Sequence, residues 1–212
     1  MFTTVLKPIA FLAAGLVAGA LLAIASLAFH TPTGWIGAAA LIIWAVVARR
    51  RWTALEATNG LDPGAPERVL WLRLAGTALV LGHLTAAILL VGNDLRVGQG
   101  NSLAGDSWTM VAAQMIAALL FRHDSKEQDE RHAGIAARGV RVGYATLIAV
   151  LIPIIAWLAF APRGVRALLS HFVIANVLIA LLLASYAALL FVQLVDYARD
   201  TSRAVDDELS PP

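Results

Sequence analysis

Residues 123–144 read HDSKEQDERHAGIAARGVRVGY, from His123 to Tyr144, the most charged run of the chain, with a long apolar segment on each side. Six of its residues are acidic or basic between Asp124 and Arg131 alone. No bilayer core accepts such a run without partners. The stretch therefore belongs in water or at a membrane surface, and it sets the sidedness of the apolar segments around it.

The composition points the same way. Of the 212 residues, 59% are hydrophobic and 14% charged, whereas a soluble domain carries about 25% charged residues. With no cysteine in the chain, disulfides, thiolate metal sites and cysteine nucleophiles are excluded. Working outward from 123–144, six apolar segments emerge, at about 8–29, 33–50, 69–91, 103–121, 142–160 and 168–195. A helix rises 1.5 Å per residue, so a core of about 30 Å takes about 20 residues. The first, third, fifth and sixth segments meet that length. The second and fourth are short and reach it only by borrowing Thr33, Gly34, Leu103 and Ala104. The expected fold is all-α: a single polytopic membrane domain of six transmembrane helices arranged as three hairpins, with four or five spans as the alternative.

The first segment also invites comparison with a secretory signal, since Lys7 precedes it and small residues such as Ala23 and Ala25 lie near its end. Its apolar run is longer than the core of about 7–15 residues that signals use, so a retained helix is expected.

Basic residues assign the sides. Lys7, Arg49, Arg50, Arg51, Arg68, Arg73, Arg122, Lys126, Arg131, Arg138, Arg141, Arg199 and Arg203 share one side of a six-span arrangement, against Arg96, Arg163 and Arg166 on the other. The positive-inside rule then places both termini in the cytoplasm. For a bacterial protein the compartment would be the inner membrane. Trp35 and Trp108 fall at outer boundaries and Trp52 and Trp71 at inner ones, as expected of interfacial aromatics. The inner connections, about 49–68 and 122–141, are too short to hold a core of their own, so no soluble catalytic domain is expected.

Polar residues inside apolar segments are the candidate site. By distance from the segment ends, His83, Gln114 and Asn176 fall at one level, about 10–14 Å below the outer surface. Asp106 and His171 lie shallower on that side, as a candidate ion pair. The plain reading of the layer is interhelical hydrogen bonding, about 0.6 kcal/mol per contact. The sharper one is a proton or ligand path. A haem between His83 and His171 is disfavoured by their difference in depth, and no cofactor is expected. His123 and His132 flank the acidic run, but nine residues apart they match no metal-site spacing. Ala14, Gly15, Ala18 and Gly19 contain a G-x-x-x-G, which permits close backbone approach. Packing within the chain is the expected use, homo-oligomerisation the lesser one. Pro153 interrupts the hydrogen bonding of the fifth segment.

Asp129-Glu130-Arg131 followed by Ile135, Arg138 and Tyr144 resembles the D-E-R…I…R…Y signature of a broad group of uncharacterised bacterial inner-membrane proteins. The last helix of that group carries an early asparagine and a Gln-Leu-x-x-Tyr-x-Arg-like exit. Here Asn176 and the run Gln193-Leu194-Val195-Asp196-Tyr197-Ala198-Arg199 are similar, with Asp196 replacing an apolar or aromatic residue. The likeness covers the second half of the chain. Members are often encoded beside a small helix-turn-helix regulator, so the resemblance implies a membrane-bound antagonist or sensor of such a regulator.

Arg131 and Arg138 share a helix face with Ile135 between them, and with Asp129 and Glu130 they form the candidate cytoplasmic docking surface. Direct nucleic-acid binding is not expected, because Asp124, Glu127, Asp129 and Glu130 repel phosphates. The lipid bilayer and a cytoplasmic protein are the expected partners. The first functional expectation is a non-enzymatic regulatory or interaction protein docking through its cytoplasmic loops. The alternative is a small transporter or ligand-binding bundle built on His83, Gln114 and Asn176. The topology is checked by single cysteines: Ser125→Cys and Ser202→Cys should stay shielded from impermeant thiol reagents in intact cells, while Asn101→Cys should label. Outside labelling of Ser125→Cys contradicts six spans.

Overall fold

The computed structural model describes residues 2–59, 64–92, 95, 102–121, 130–160, 162 and 170–209. Among them are six α-helices: α1 Phe2–Phe29, α2 Gly34–Asn59, α3 Ala65–Val91, α4 Leu103–Leu119, α5 Glu130–Phe160 and α6 His171–Leu209. No strand occurs among the described residues. Four helices are long and apolar enough to cross a membrane, over Leu6–Phe29, Pro66–Val91, Glu130–Phe160 and His171–Asp200. These are the four segments whose apolar runs reach the bilayer thickness unaided.

Helix α3 is the axis of the bundle. More than half of its apolar window is buried, 56%, against 6% for α5. It packs on α1, α4 and α6, while α2 leans on α4 and α5 on α6. The registers fix the directions. Gly15 meets Ala78 and Gly19 meets Leu79 and His83, so α1 and α3 run parallel. Gly34 and Gly37 of α2 meet Asp106 and Met110 of α4, again in parallel. Gly76 faces Gln114 while His83 faces Ser107, so α4 opposes α3. Leu70 and Leu74 share a cluster with Leu194 and Tyr197, and Leu84 shares one with Ala180, so α6 opposes α3 as well. Arg131 reaches Asp200 and Arg138 reaches Asp196, which sets α5 antiparallel to α6. Helices α1, α3 and α5 thus point one way and α2, α4 and α6 the other.

The α1–α3 contact is made backbone to backbone. A Cβ at Gly19 would lie 2.0 Å from the Leu79 carbonyl oxygen, and one at Gly82 would lie 2.1 Å from that of Leu16. The G-x-x-x-G therefore serves packing inside the chain, as its small residues allow. At the arginine-rich end an aromatic relay ties four helices together. Trp71 meets Phe11 at 5.1 Å, Phe11 meets Trp44 at 5.6 Å, Trp44 meets Trp52 at 6.3 Å, and Trp52 meets Phe121 at 5.8 Å. Arg49 lies over the Phe121 ring and donates to the Leu120 carbonyl, satisfying the C-terminal end of α4.

The helices outrun the apolar segments at that same end. The fifth helix begins at Glu130 rather than near 142, the second continues to Asn59 rather than 50, and the sixth to Leu209 rather than 195. Apolar length measures what sits in a bilayer, but helix geometry continues wherever backbone hydrogen bonds and neighbours sustain it. Here the polar extensions of α5 and α6 hold each other by ion pairs. The backbone contact gives a direct check. Gly19→Ala should lower the melting temperature, at a cost of about 1–3 kcal/mol for overpacking. Gly134→Ala, with nothing within 4 Å of the added methyl, should raise it, through a stability gain of up to about 1 kcal/mol. Equal, small effects of the two changes would mean that α1 and α3 do not touch.

Candidate functional site

The densest polar cluster lies at the end of the bundle opposite the arginine-rich one, where α1 ends and α2 and α4 begin. Its centre is Asp106, buried at 3% exposure. One carboxylate oxygen, Oδ2, accepts from Ser26 Oγ at 2.9 Å, from Ser102 Oγ at 3.0 Å and from the Thr33 backbone N–H at 3.3 Å. The Thr33 hydroxyl donates to the Leu22 carbonyl at 2.9 Å, holding the α1–α2 turn over the site. Gly34 makes room: a Cβ there would lie 2.5 Å from the Asp106 Cα. A carboxylate collecting donors from three segments is the arrangement that makes burial of the group tolerable.

His83 sits beside this cluster, fully buried on α3 and within electrostatic reach of Asp106. Its Nδ1 is 3.0 Å from Ser107 Oγ. The Ser107 hydroxyl hydrogen is directed to the Leu103 carbonyl one turn back, at 3.1 Å. With the Ser107 hydrogen kept on that carbonyl, Ser107 accepts from the imidazole and the proton lies on Nδ1; turned to the ring instead, it would place the proton on Nε2. In the first arrangement Nε2 of the neutral ring is a bare lone pair. It is buried and has no hydrogen-bond partner among the described residues. An orphaned buried polar atom costs about 1–3 kcal/mol, and in this cluster it is the atom that awaits a donor.

The other intramembrane polar residues are not brought to this level. Gln114 lies two turns along α4 from Ser107, resting on Gly76 and donating to Thr77 Oγ1 at 3.4 Å and to the Arg73 carbonyl at 3.3 Å. Asn176 donates to the Phe172 carbonyl of its own helix at 2.8 Å and approaches the Leu95 carbonyl at 3.5 Å. That places it one turn outward of Ala180, which packs with Leu84, Ala87 and Leu95. His83, Gln114 and Asn176 therefore do not form one layer. Counting depth from the ends of apolar runs missed the stagger of the helices. Asp106 and His171 are not paired either: His171 opens α6, exposed, with its ring 4.2 Å from Phe172. The same separation in depth keeps His83 and His171 from sharing one ligand. No group of three metal-ligating side chains occurs among the described residues.

On the surface expected to dock a partner, the arginines have partners within the chain while their side chains stay more than half exposed, 52% for Arg131 and 66% for Arg138. Arg131 pairs with Asp200 and Arg138 with Asp196, each at 3.2 Å. Ile135 is buried against Leu74, Leu190 and Leu194. His132 Nδ1 lies 3.0 Å from the Tyr197 hydroxyl, and Gln193 rests on Gly139 while donating to the Ala136 carbonyl at 3.4 Å. Glu130 and Tyr144 remain exposed. Asp129 and His123 lie outside the described residues. Within the described residues, the two motif stretches singled out in the sequence, 130–144 and 193–199, thus lie along one helical seam.

Ser26, Thr33, Ser102 and Ser107 escaped the sequence reading, because isolated serines and threonines in helices usually satisfy themselves on the preceding turn. The signal that would have found them is their coincidence at the ends of three segments flanking Asp106. Comparison of the chain with protein-family models, with characterised proteins and with solved structures finds no match in any of the three.

Proposed function

We propose that this chain is a six-span protein of a bacterial cytoplasmic membrane, without enzymatic activity, that binds a proton or a small hydrogen-bond-donating ligand at His83 beside Asp106. Six spans are supported by direction. Helices α1 and α3 lie parallel, and each is long enough to cross. The chain must recross between them, and only α2 is there to do it; α4 stands in the same position between α3 and α5. The apolar part of α2, Gly34 to Ala48, reaches about 22 Å and α4 about 25 Å, lengths that local thinning accommodates. Both helices present apolar side chains outward, Trp35, Ile36, Ile43 and Val47 on α2 and Trp108, Met115, Ile116 and Leu119 on α4.

The observation that carries the functional reading is the orphaned Nε2 of His83. An interhelical bridge made only for stability would use both ring nitrogens, since the open one is a cost. The nearby Asp106 carboxylate suits a ligand that brings positive charge with its donor hydrogen, whereas full burial of the ring favours a neutral donor over a bare proton. A regulatory role through the cytoplasmic face keeps less support, because Arg131, Ile135 and Arg138 are engaged with α6.

Stability and function should therefore part company at His83. His83→Leu should leave the melting temperature of the purified protein unchanged or raise it, because it removes an unsatisfied buried group. In the wild type, nitrogen-15 spectra of the labelled imidazole should show Nδ1 protonated and Nε2 bare, the assignment resting on loss of the signal in His83→Leu. A marked fall in melting temperature on His83→Leu, or an Nε2-protonated neutral ring, would count for a purely structural bridge.

A further inference from the structure

At the opposite, arginine-rich end, a crevice of about 200 Å3 opens between the first turns of α3, the start of α5 and the end of α6. Val69, Leu70 and Ile135 form its apolar floor, and Arg73, His132 and Gln193 its polar wall. Arg73 is the one fixed charge on that lining, and no carboxylate is among the lining residues. The other arginines nearby differ: Arg131 and Arg138 are neutralised by Asp200 and Asp196 across the seam. Arg73 has no acidic partner among the described residues. It also lies within the membrane-crossing stretch Pro66–Val91, two residues beyond the interfacial Trp71 of the aromatic relay. A cation at that depth is costly unless it reaches the headgroup layer or meets an anion.

We infer that this crevice binds the phosphate-ester headgroup of an anionic phospholipid from the arginine-rich leaflet, with Arg73 as its counter-charge. The volume fits a headgroup and not a whole lipid, so the acyl chains lie outside, along exposed apolar residues of α5 such as Val140 and Tyr144. The polar wall is already oriented, since His132 is held by Tyr197 and Gln193 by the Ala136 carbonyl. Basic pockets between transmembrane helices recognise headgroups by this chemistry. The site is separate from His83, and the proposal stands whether or not that residue binds a ligand.

The test is native mass spectrometry of the full chain released from detergent after incubation with an equimolar mixture of phosphatidylglycerol and phosphatidylcholine of the same acyl chains. The wild type should retain phosphatidylglycerol in about five-fold excess, the preference that one arginine near a headgroup supplies. Arg73→Gln should bring the ratio to about one, and Arg73→Lys should keep most of the preference, on the same reasoning. Ala133→Leu, which narrows the crevice while leaving every charge in place, should abolish the preference too. Arg141→Gln, on α5 outside the lining, should leave it intact. Equal retention of the two lipids by the wild type overturns the proposal. So does an unchanged preference in either Arg73→Gln or Ala133→Leu. Displacement of phosphatidylglycerol by inorganic phosphate overturns the lipid source in favour of a free-anion site.

Discussion

The close contact of α1 with α3 is the constraint on which the rest of the bundle depends. In lipid there is little hydrophobic gain in bringing two helices together, because the tails are as apolar as leucine. Association rests on dispersion between well-fitted surfaces, and that fit is closest where glycine lets backbones meet. Gly19 and Gly82 bring α1 and α3 to such a distance. Once α1 is seated, Ser26 near its C-terminal end stands where Asp106 can accept from it, and the following turn brings Thr33 to the same carboxylate. The polar cluster is thus a product of the packing and not an addition to it.

A second regularity concerns how buried polar side chains are accommodated. Asp106 lies against Gly34, Gln114 against Gly76 and Gln193 against Gly139, each on a neighbouring helix. In every case the missing methyl leaves space for a carboxylate or carboxamide that then finds donors or acceptors close by. A side chain at any of the three glycines would have to displace the polar group that rests on it. The small residues of this chain are therefore distributed by polarity as well as by helix proximity.

Much of the architecture is legible in the sequence. Hydropathy and length identify the four long helices, the arginine distribution gives one end of the bundle, and the G-x-x-x-G of α1 serves the packing expected of it. The site was less legible. His83 and Asp106 stand out as polar groups in apolar runs, but their grouping with Gln114, Asn176 and His171 assumed that apolar boundaries mark equal depths. Helix α6 begins with exposed His171, and Asn176 lies near Leu95, beyond the end of α3. A one-dimensional depth count cannot register that offset. The pairing of the charged stretch was not legible either. Arg131 and Arg138 meet Asp200 and Asp196 of the helix that continues alongside them, with both arginine side chains still more than half exposed.

Helix α5 has a consequence for biogenesis. It is the least buried of the four long helices, and almost all of its packing is on α6, the next helix to be synthesised. When α5 leaves the translocation machinery, the partners of Arg131, Arg138 and Gly139 have not yet been made. The segment then has little to pack on, and α1 and α3 too still lack the face of α6 that completes their clusters. The contacts of α6 on α1, α3 and α5 thus form in one step, and truncation before α6 would open the cluster around Leu70 and Leu74 as well as leave α5 without its partner.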